Sequence, residues 1–107
     1  MIQIIYNRDT SRVSITGHAG SGEVGHDLVC ASVSILAYTL ASLVRNFGEG
    51  VQRGVTVDLN EGEALISCDP VEDFRCSIKL VFDTICTGFE LLAQEYPENV
   101  SFEMIGE

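Results

Sequence analysis

Basic residues are scarce in this chain, and their scarcity excludes one large class of partners. Of its 107 residues, six are Lys or Arg and sixteen are Asp or Glu, which gives a formal net charge of -10. Such a chain repels the phosphates of nucleic acids and the headgroups of anionic lipids. We therefore expect no direct nucleic-acid or membrane partner, and we expect basic partners to be favoured. The same acidity would also keep a rather apolar protein soluble.

Metal-binding and disulfide patterns are also missing. The chain has two histidines, four cysteines and no Cys-x-x-Cys pair, so a tetrahedral zinc site has no support and we expect no metal and no cofactor. The first six residues lack the basic leader, long apolar region and cleavage site of a secretory signal, which favours the reducing cytoplasm. Three thiols are predicted to be buried as small hydrophobic groups: Cys68, Cys76 and Cys86.

Two hairpins and a final strand account for the predicted β-structure. The polar turn 7–12 separates two short runs of branched residues, and the turn 60–63 separates two more. Apolar and polar residues alternate in the last run, as in a strand with one buried face. The predicted strands cover residues 2–6, 13–16, 55–59, 64–68 and 100–104.

Two helices complete the predicted fold, which we assign to the α+β class as a single domain over residues 1–107. Asp27 is a candidate N-cap for the first and Gly48 a candidate stop. Asp69-Pro70 is a candidate start for the second, with proline at the first helical position, and Pro97 ends it. The order strand, strand, helix, strand, strand, helix, strand predicts a mostly antiparallel sheet of about five strands with both helices on one face. The apolar stripe of the second helix is predicted to be Phe74, Ile78, Val81, Ile85, Phe89 and Leu92.

The first helix is unusually apolar, since residues 28–44 carry no charge. Seventeen residues reach the lower limit for a membrane span, but five hydroxyl-bearing residues among them make a span unattractive. We expect a buried central helix instead. Because it is apolar on more than one face, the pattern also hints at self-association.

A cysteine near the start of this helix is the strongest candidate for chemistry. Cys30 lies third after Asp27, where unpaired N–H groups of the helix start stabilise a thiolate and can donate to a developing oxyanion. His18, on the preceding loop, could exchange its proton. The structural alternative is that free cysteines are usually buried and inert, and that a single histidine is more often structural.

The loop between the second strand and the first helix is rich in glycine. Residues 20–25 satisfy the dinucleotide-binding pattern G-x-G-x-x-G, but the acidic residue expected about 20 residues further on is replaced by Arg45 in the helix. Glu23 also places a carboxylate where phosphate would bind. We favour a mobile loop that admits an extended peptide, with Gly20, Gly22 and Gly25 as its flexible points. Nucleotide binding is the weaker alternative.

This stretch of the chain resembles the ribosomal-processing cysteine protease family, called Prp. The resemblance is carried by residues 17–19 (Gly-His-Ala), the glycine loop, residues 25–31 (Gly-His-Asp-Leu-Val-Cys-Ala) and Ser34. The resemblance implies a bacterial cytoplasmic endopeptidase, usually a homodimer. Its implied partner is the N-terminal peptide of the precursor of large-subunit ribosomal protein twenty-seven, whose extension is removed.

The resemblance also implies a role for each matching residue. Cys30 would be the nucleophile and His18 the general base and acid, while Asp27, Ser34 and Gly17 would support the site. Asp27 could cap the helix or orient His18, and this choice stays open. His26 is expected to be loop surface. A non-catalytic adaptor for peptides or ribosome assembly is the alternative function.

Overall fold

The computed structural model describes residues 1–17 and 26–107, and the side chains from Leu28 onward in the second range. Within these ranges the chain forms a five-stranded sheet, two long helices and one short 3-10 turn. The predicted α+β class and order of elements are confirmed. The elements are β1 (Ile2–Asn7), β2 (Arg12–Gly17), α1 (His26–Asn46), β3 (Gln52–Asn60), β4 (Glu63–Pro70), the 3-10 turn (Glu72–Phe74), α2 (Arg75–Glu95) and β5 (Val100–Ile105).

The sheet has the order β3-β4-β2-β1-β5 and is mostly antiparallel, as predicted. Both predicted hairpins form, because β1 pairs with β2 and β3 pairs with β4 in antiparallel register. The last strand, β5, pairs in parallel with β1, which makes the sheet mixed. β4 lies between β2 and β3, the strands that come before and after α1. In a dinucleotide-binding unit those two strands would be adjacent and parallel, so this sheet does not contain such a unit at α1.

One face of the sheet carries the core, and both helices cover it. Alternate residues of the strands point inward, among them Ile4, Val13 and Ile66, which are at most 1% exposed. α1 adds Leu40 and α2 adds Phe82, both fully buried. By length and composition alone, Leu28–Asn46 would be long and apolar enough to cross a membrane. Its buried stripe instead packs against α2 and the sheet, as is usual for a core helix.

Both predicted helix starts are corrected by the structure. α1 covers His26–Asn46, so Asp27 lies inside the helix and is not its N-cap. β4 continues through Pro70, which is buried and pairs with Gln52, so Asp69-Pro70 does not start α2. A proline at the last position of a strand has a suitable backbone angle and gives up only one ladder hydrogen bond.

The buried face of α2 differs in part from the predicted stripe. Phe74 ends the 3-10 turn and is 40% exposed, whereas Phe82, which the stripe omitted, is fully buried. Cys76 was predicted to be buried and is exposed, in the first turn of α2. Burial of Cys68 and Cys86 is confirmed, and all four cysteines are free thiols.

Candidate active site

A cleft of about 600 Å³ opens between α1, the end of β2 and the turn that joins β3 to β4. Its floor is apolar, since it includes core residues of β1, β2 and α1. Its rim is polar and is formed by the β3–β4 turn and by the α1 side chains of Ser34 and Tyr38. The described lining residues are Ile2, Ile15, Gly17, Cys30, Val33, Ser34, Ala37, Tyr38, Leu59, Asn60, Glu61, Gly62, Glu63 and Ala64.

Cys30 and Ser34 lie one helical turn apart on α1 and both face this cleft. Residues four apart share a helix face, and the neighbouring Val29 and Val33 anchor that turn in the core. Both Cys30 and Ser34 are half-buried, so each side chain contacts protein on one side and is accessible from the cleft on the other. The predicted nucleophile and its predicted supporting serine are therefore brought together.

Cys30 is the fifth residue of the described helix α1 (His26–Asn46). The backbone N–H groups without a carbonyl partner inside a helix belong to its first turn. Cα–Cβ bonds in a helix tilt toward its N-terminus, so the Cys30 side chain leans toward that first turn. The thiol lies near the described start of α1, two residues further into the helix than the predicted cap implied.

Gly17 closes the end of the cleft nearest the glycine loop, and its backbone admits only glycine. Its φ is +97°, and a Cβ atom there would collide with the backbone carbonyl of Met1. Its N–H donates a 2.9 Å hydrogen bond to the carbonyl of Gly62 in the β3–β4 turn. The residue before His18 is thus held between the N-terminus and that turn.

The remaining predicted site residues lie outside what the structure describes. His18, Gly20, Gly22 and Gly25 belong to residues 18–25, and Asp27 is described only as a backbone position in the first turn of α1. The same holds for His26. The roles predicted for them stay predictions.

The β3–β4 turn forms a wall of the cleft that sequence reasoning missed. Residues 60–63 were predicted as a turn, but nothing in the local pattern places them beside a cysteine thirty residues earlier. The pairing of β2 with β4 does so, because Thr16 lies opposite Glu63 at the edge of the cleft. The wall carries two carboxylates, Glu61 and Glu63.

The two buried thiols, Cys68 and Cys86, are unsuited to act as nucleophiles. Burial raises the pKa of Cys68 to about 11 and that of Cys86 to about 12, and a nearby carboxylate adds to each shift. Since the thiolate is the reactive form, both are poor nucleophiles near neutral pH. Cys30 and Cys76 are the accessible thiols, and of these two only Cys30 lines the cleft.

Comparison with known proteins decides the family. The family model described as cysteine protease Prp matches residues 1–101. The chain belongs to the cysteine protease Prp family. A relative from Staphylococcus aureus, the ribosomal processing cysteine protease Prp, is 31% identical over 90 residues, which are 82% of this chain and 80% of the relative.

Solved structures support the Prp fold. The structure of this chain matches the crystal structure of a Streptococcus mutans protein with a TM-score of 0.71 at 28% sequence identity. The match covers 100% of this chain and 96% of the S. mutans chain. The Prp protease of S. aureus, in complex with a covalently linked product peptide, has a TM-score of 0.74 at 23% identity, covering 97% and 99%. A second S. aureus Prp structure, with a substrate peptide, has a TM-score of 0.71 at 22% identity, covering 96% of each chain.

Proposed function

We propose that this chain is the endopeptidase that removes the N-terminal extension of bacterial large-subunit ribosomal protein twenty-seven. The observation that carries the proposal is the convergence of Gly17, Cys30 and Ser34 on one cleft. All three belong to the motif that the sequence shares with the Prp family. The S. aureus relative is named as a ribosomal processing protease, which favours a ribosomal protein as the substrate here.

The proposed reaction is acyl transfer through a cysteine nucleophile. The Cys30 thiolate attacks the carbonyl carbon of the scissile peptide, and backbone N–H groups of the first turn of α1 stabilise the oxyanion. The C–N bond then breaks while His18 protonates the leaving amine. Water attacks the thioester, His18 accepts its proton, and the acid product leaves with the thiolate restored. Ser34 and Asp27 would support this arrangement.

The proposal includes a cytoplasmic homodimer. Free thiols at all four cysteines are in keeping with a reducing compartment. α1 and α2 expose large apolar side chains on the face turned away from the sheet, notably Ile35 and Leu91. Ile35 and Leu91 line one groove between the two helices, and contiguous exposed apolar surface of this kind favours a protein–protein contact.

Replacing Cys30 by Ala tests the central assignment. We expect Cys30→Ala to abolish cleavage of the purified ribosomal precursor, measured by mass spectrometry of the products, because no other accessible thiol lines the described part of the cleft. The variant should remain folded, since Cys30 is only half-buried. Cleavage at the wild-type rate by Cys30→Ala would refute the proposal.

Two other cysteines supply matched controls. Cys76→Ala changes an exposed thiol outside the cleft and should preserve both activity and stability. Cys86→Ala removes a buried thiol and should lower the free energy of unfolding by about 1 kcal/mol while sparing cleavage. Loss of cleavage in all three variants would point to a general effect of thiol removal rather than to a nucleophile.

A further inference from the structure

The β3–β4 turn presents two carboxylates to the cleft from the side opposite Cys30. Asn60 pairs with Glu63, so Glu61 and Gly62 form a two-residue turn, and Gly62, the second of them, has a positive φ of 76°, which glycine adopts without steric cost. Glu61 and Glu63 therefore flank a tight, well-defined bend. Both are exposed, and both line the cleft.

Among the residues that the structure describes, none forms an ion pair with these carboxylates. They are the only charged groups among the described lining residues, and no cation there faces them. Over residues 1–17 and 26–107, the ion pairs involve Asp83, Asp69 and Glu72 and leave the turn out. Negative charge across from a nucleophile that acts as a thiolate is unfavourable. A cation supplied by the ligand would relieve it.

The cleft has the length of a short extended peptide. It follows α1 from Cys30 to Tyr38, which is eight residues or about 12 Å along the helix axis. An extended chain advances about 3.3 Å per residue, so about four substrate residues span this length. The apolar floor, which includes Ile15, Val33 and Leu59, would bind side chains on one side of such a peptide. The other edge of the peptide would face the turn.

We propose that Glu61 and Glu63 make this cleft select peptides with a basic side chain within about four residues of the cleaved bond. The carboxylates alone would define no ligand site. They gain this role because the wall that carries them borders the same cleft as Cys30 and Ser34. The inference rests on the proposed protease function and adds a substrate class to it.

The test compares peptides that differ only in charge. The probes are fluorogenic peptides spanning the junction of the ribosomal precursor, with one position at a time changed to lysine or to norleucine, which has the same carbon chain without the ammonium group. At the position that contacts the wall, wild-type protein should cleave the lysine peptide with a kcat/KM about two- to tenfold higher. Raising the salt concentration should reduce this ratio.

The double variant Glu61→Gln, Glu63→Gln should lose the preference and cleave both peptides at about the norleucine rate. The matched control is Asp73→Asn with Glu103→Gln, which makes the same change in net charge at exposed positions outside the cleft. The control should retain the preference. Equal cleavage of both peptides by the wild type, or equal loss of preference in the two double variants, would overturn the inference.

Binding to the inactive variant separates this inference from the proposed function. Fluorescence anisotropy of labelled peptides with Cys30→Ala measures the lysine preference without any cleavage. If wild-type protein cleaves no junction peptide, the protease proposal fails. A lysine preference in binding that needs Glu61 and Glu63 would even then support the proposal that these carboxylates select basic peptides. Absence of a preference in binding would refute that proposal even if cleavage proceeds.

Discussion

At the scale of single residues, the cleft depends on a backbone conformation as well as on side chains. Gly17 ends β2 with a positive φ, in close contact with the Met1 carbonyl and hydrogen-bonded to Gly62. A side chain at this position would have to displace the N-terminus or the β3–β4 turn. The positive φ and the close approach of the Met1 carbonyl explain why the residue before His18 is a glycine.

We expect Gly17→Ala to lower the free energy of unfolding by about 1 to 3 kcal/mol, because the backbone is strained for any residue with a Cβ and the Met1 carbonyl blocks the added atom. Urea denaturation measures the loss. Cleavage of the precursor should also fall under conditions where the variant is folded, since the start of the His18 loop is displaced.

Gly54→Ala is the matched control for this substitution. A Cβ at Gly54 would meet no atom within 4 Å, so its effect should stay within about 0.5 kcal/mol with activity retained. Equal stability losses in the two variants would contradict the argument from backbone conformation.

At the scale of elements, a polar cluster joins α2 to the sheet at a site away from the cleft. Asp83 on α2 accepts hydrogen bonds from the Tyr6 hydroxyl at 2.8 Å and from Nε and Nη2 of Arg8 at 3.0 and 2.8 Å. The Tyr6 ring stacks on Phe82 with the centroids 6.1 Å apart. Burial, followed by the Asp83 contact, raises the pKa of Tyr6, and the Arg8 hydrogen bond lowers the pKa of Asp83.

We expect Asp83→Asn to cost about 1 to 2 kcal/mol of stability near pH 7, because it removes a charge-assisted pair that is only partly exposed. The folded-state pKa of Asp83 lies below its ordinary value of 3.8. The wild-type advantage should therefore be full above about pH 4 and should shrink as the pH falls through the lowered pKa. Urea denaturation at a series of pH values measures this.

Glu72→Gln provides the comparison for that prediction. It breaks the exposed Arg75–Glu72 pair, which should contribute no more than about 0.5 kcal/mol. A stability difference between wild type and Asp83→Asn that stays constant down to pH 2 would contradict the assigned role of the Asp83 charge.

At the scale of the whole molecule, both helices cover one face of the sheet and leave apolar groups on their outer side. A groove between α1 and α2 is lined by Ile35, Leu36, Leu91 and Leu92 among others. It lies on the side of the helices that is not packed on the sheet. We place the proposed homodimer contact on this outer helical surface.

Sedimentation velocity tests this placement. Wild-type protein should sediment as a dimer at micromolar concentration, and Ile35→Glu should shift it to monomer while circular dichroism stays unchanged, because a carboxylate in an apolar contact is costly. Ile105→Glu, on an exposed strand position, should leave the dimer intact. A wild-type monomer, or a dimer broken by Ile105→Glu instead, would refute the placement.

The sequence by itself determined the order of elements, the two hairpins and the motif around Cys30, because periodicity, turn residues and spacing are local properties of the chain. Local signals misplaced both helix starts and the exposure of Cys76 and Phe74. For α2 the reason is that strand pairing holds Pro70 in β4, so the helix starts only at Arg75. Only the tertiary structure brought the β3–β4 turn to the cleft and Arg8 to Asp83. Those contacts join residues far apart in the chain, and their partners are chosen by packing across the whole sheet.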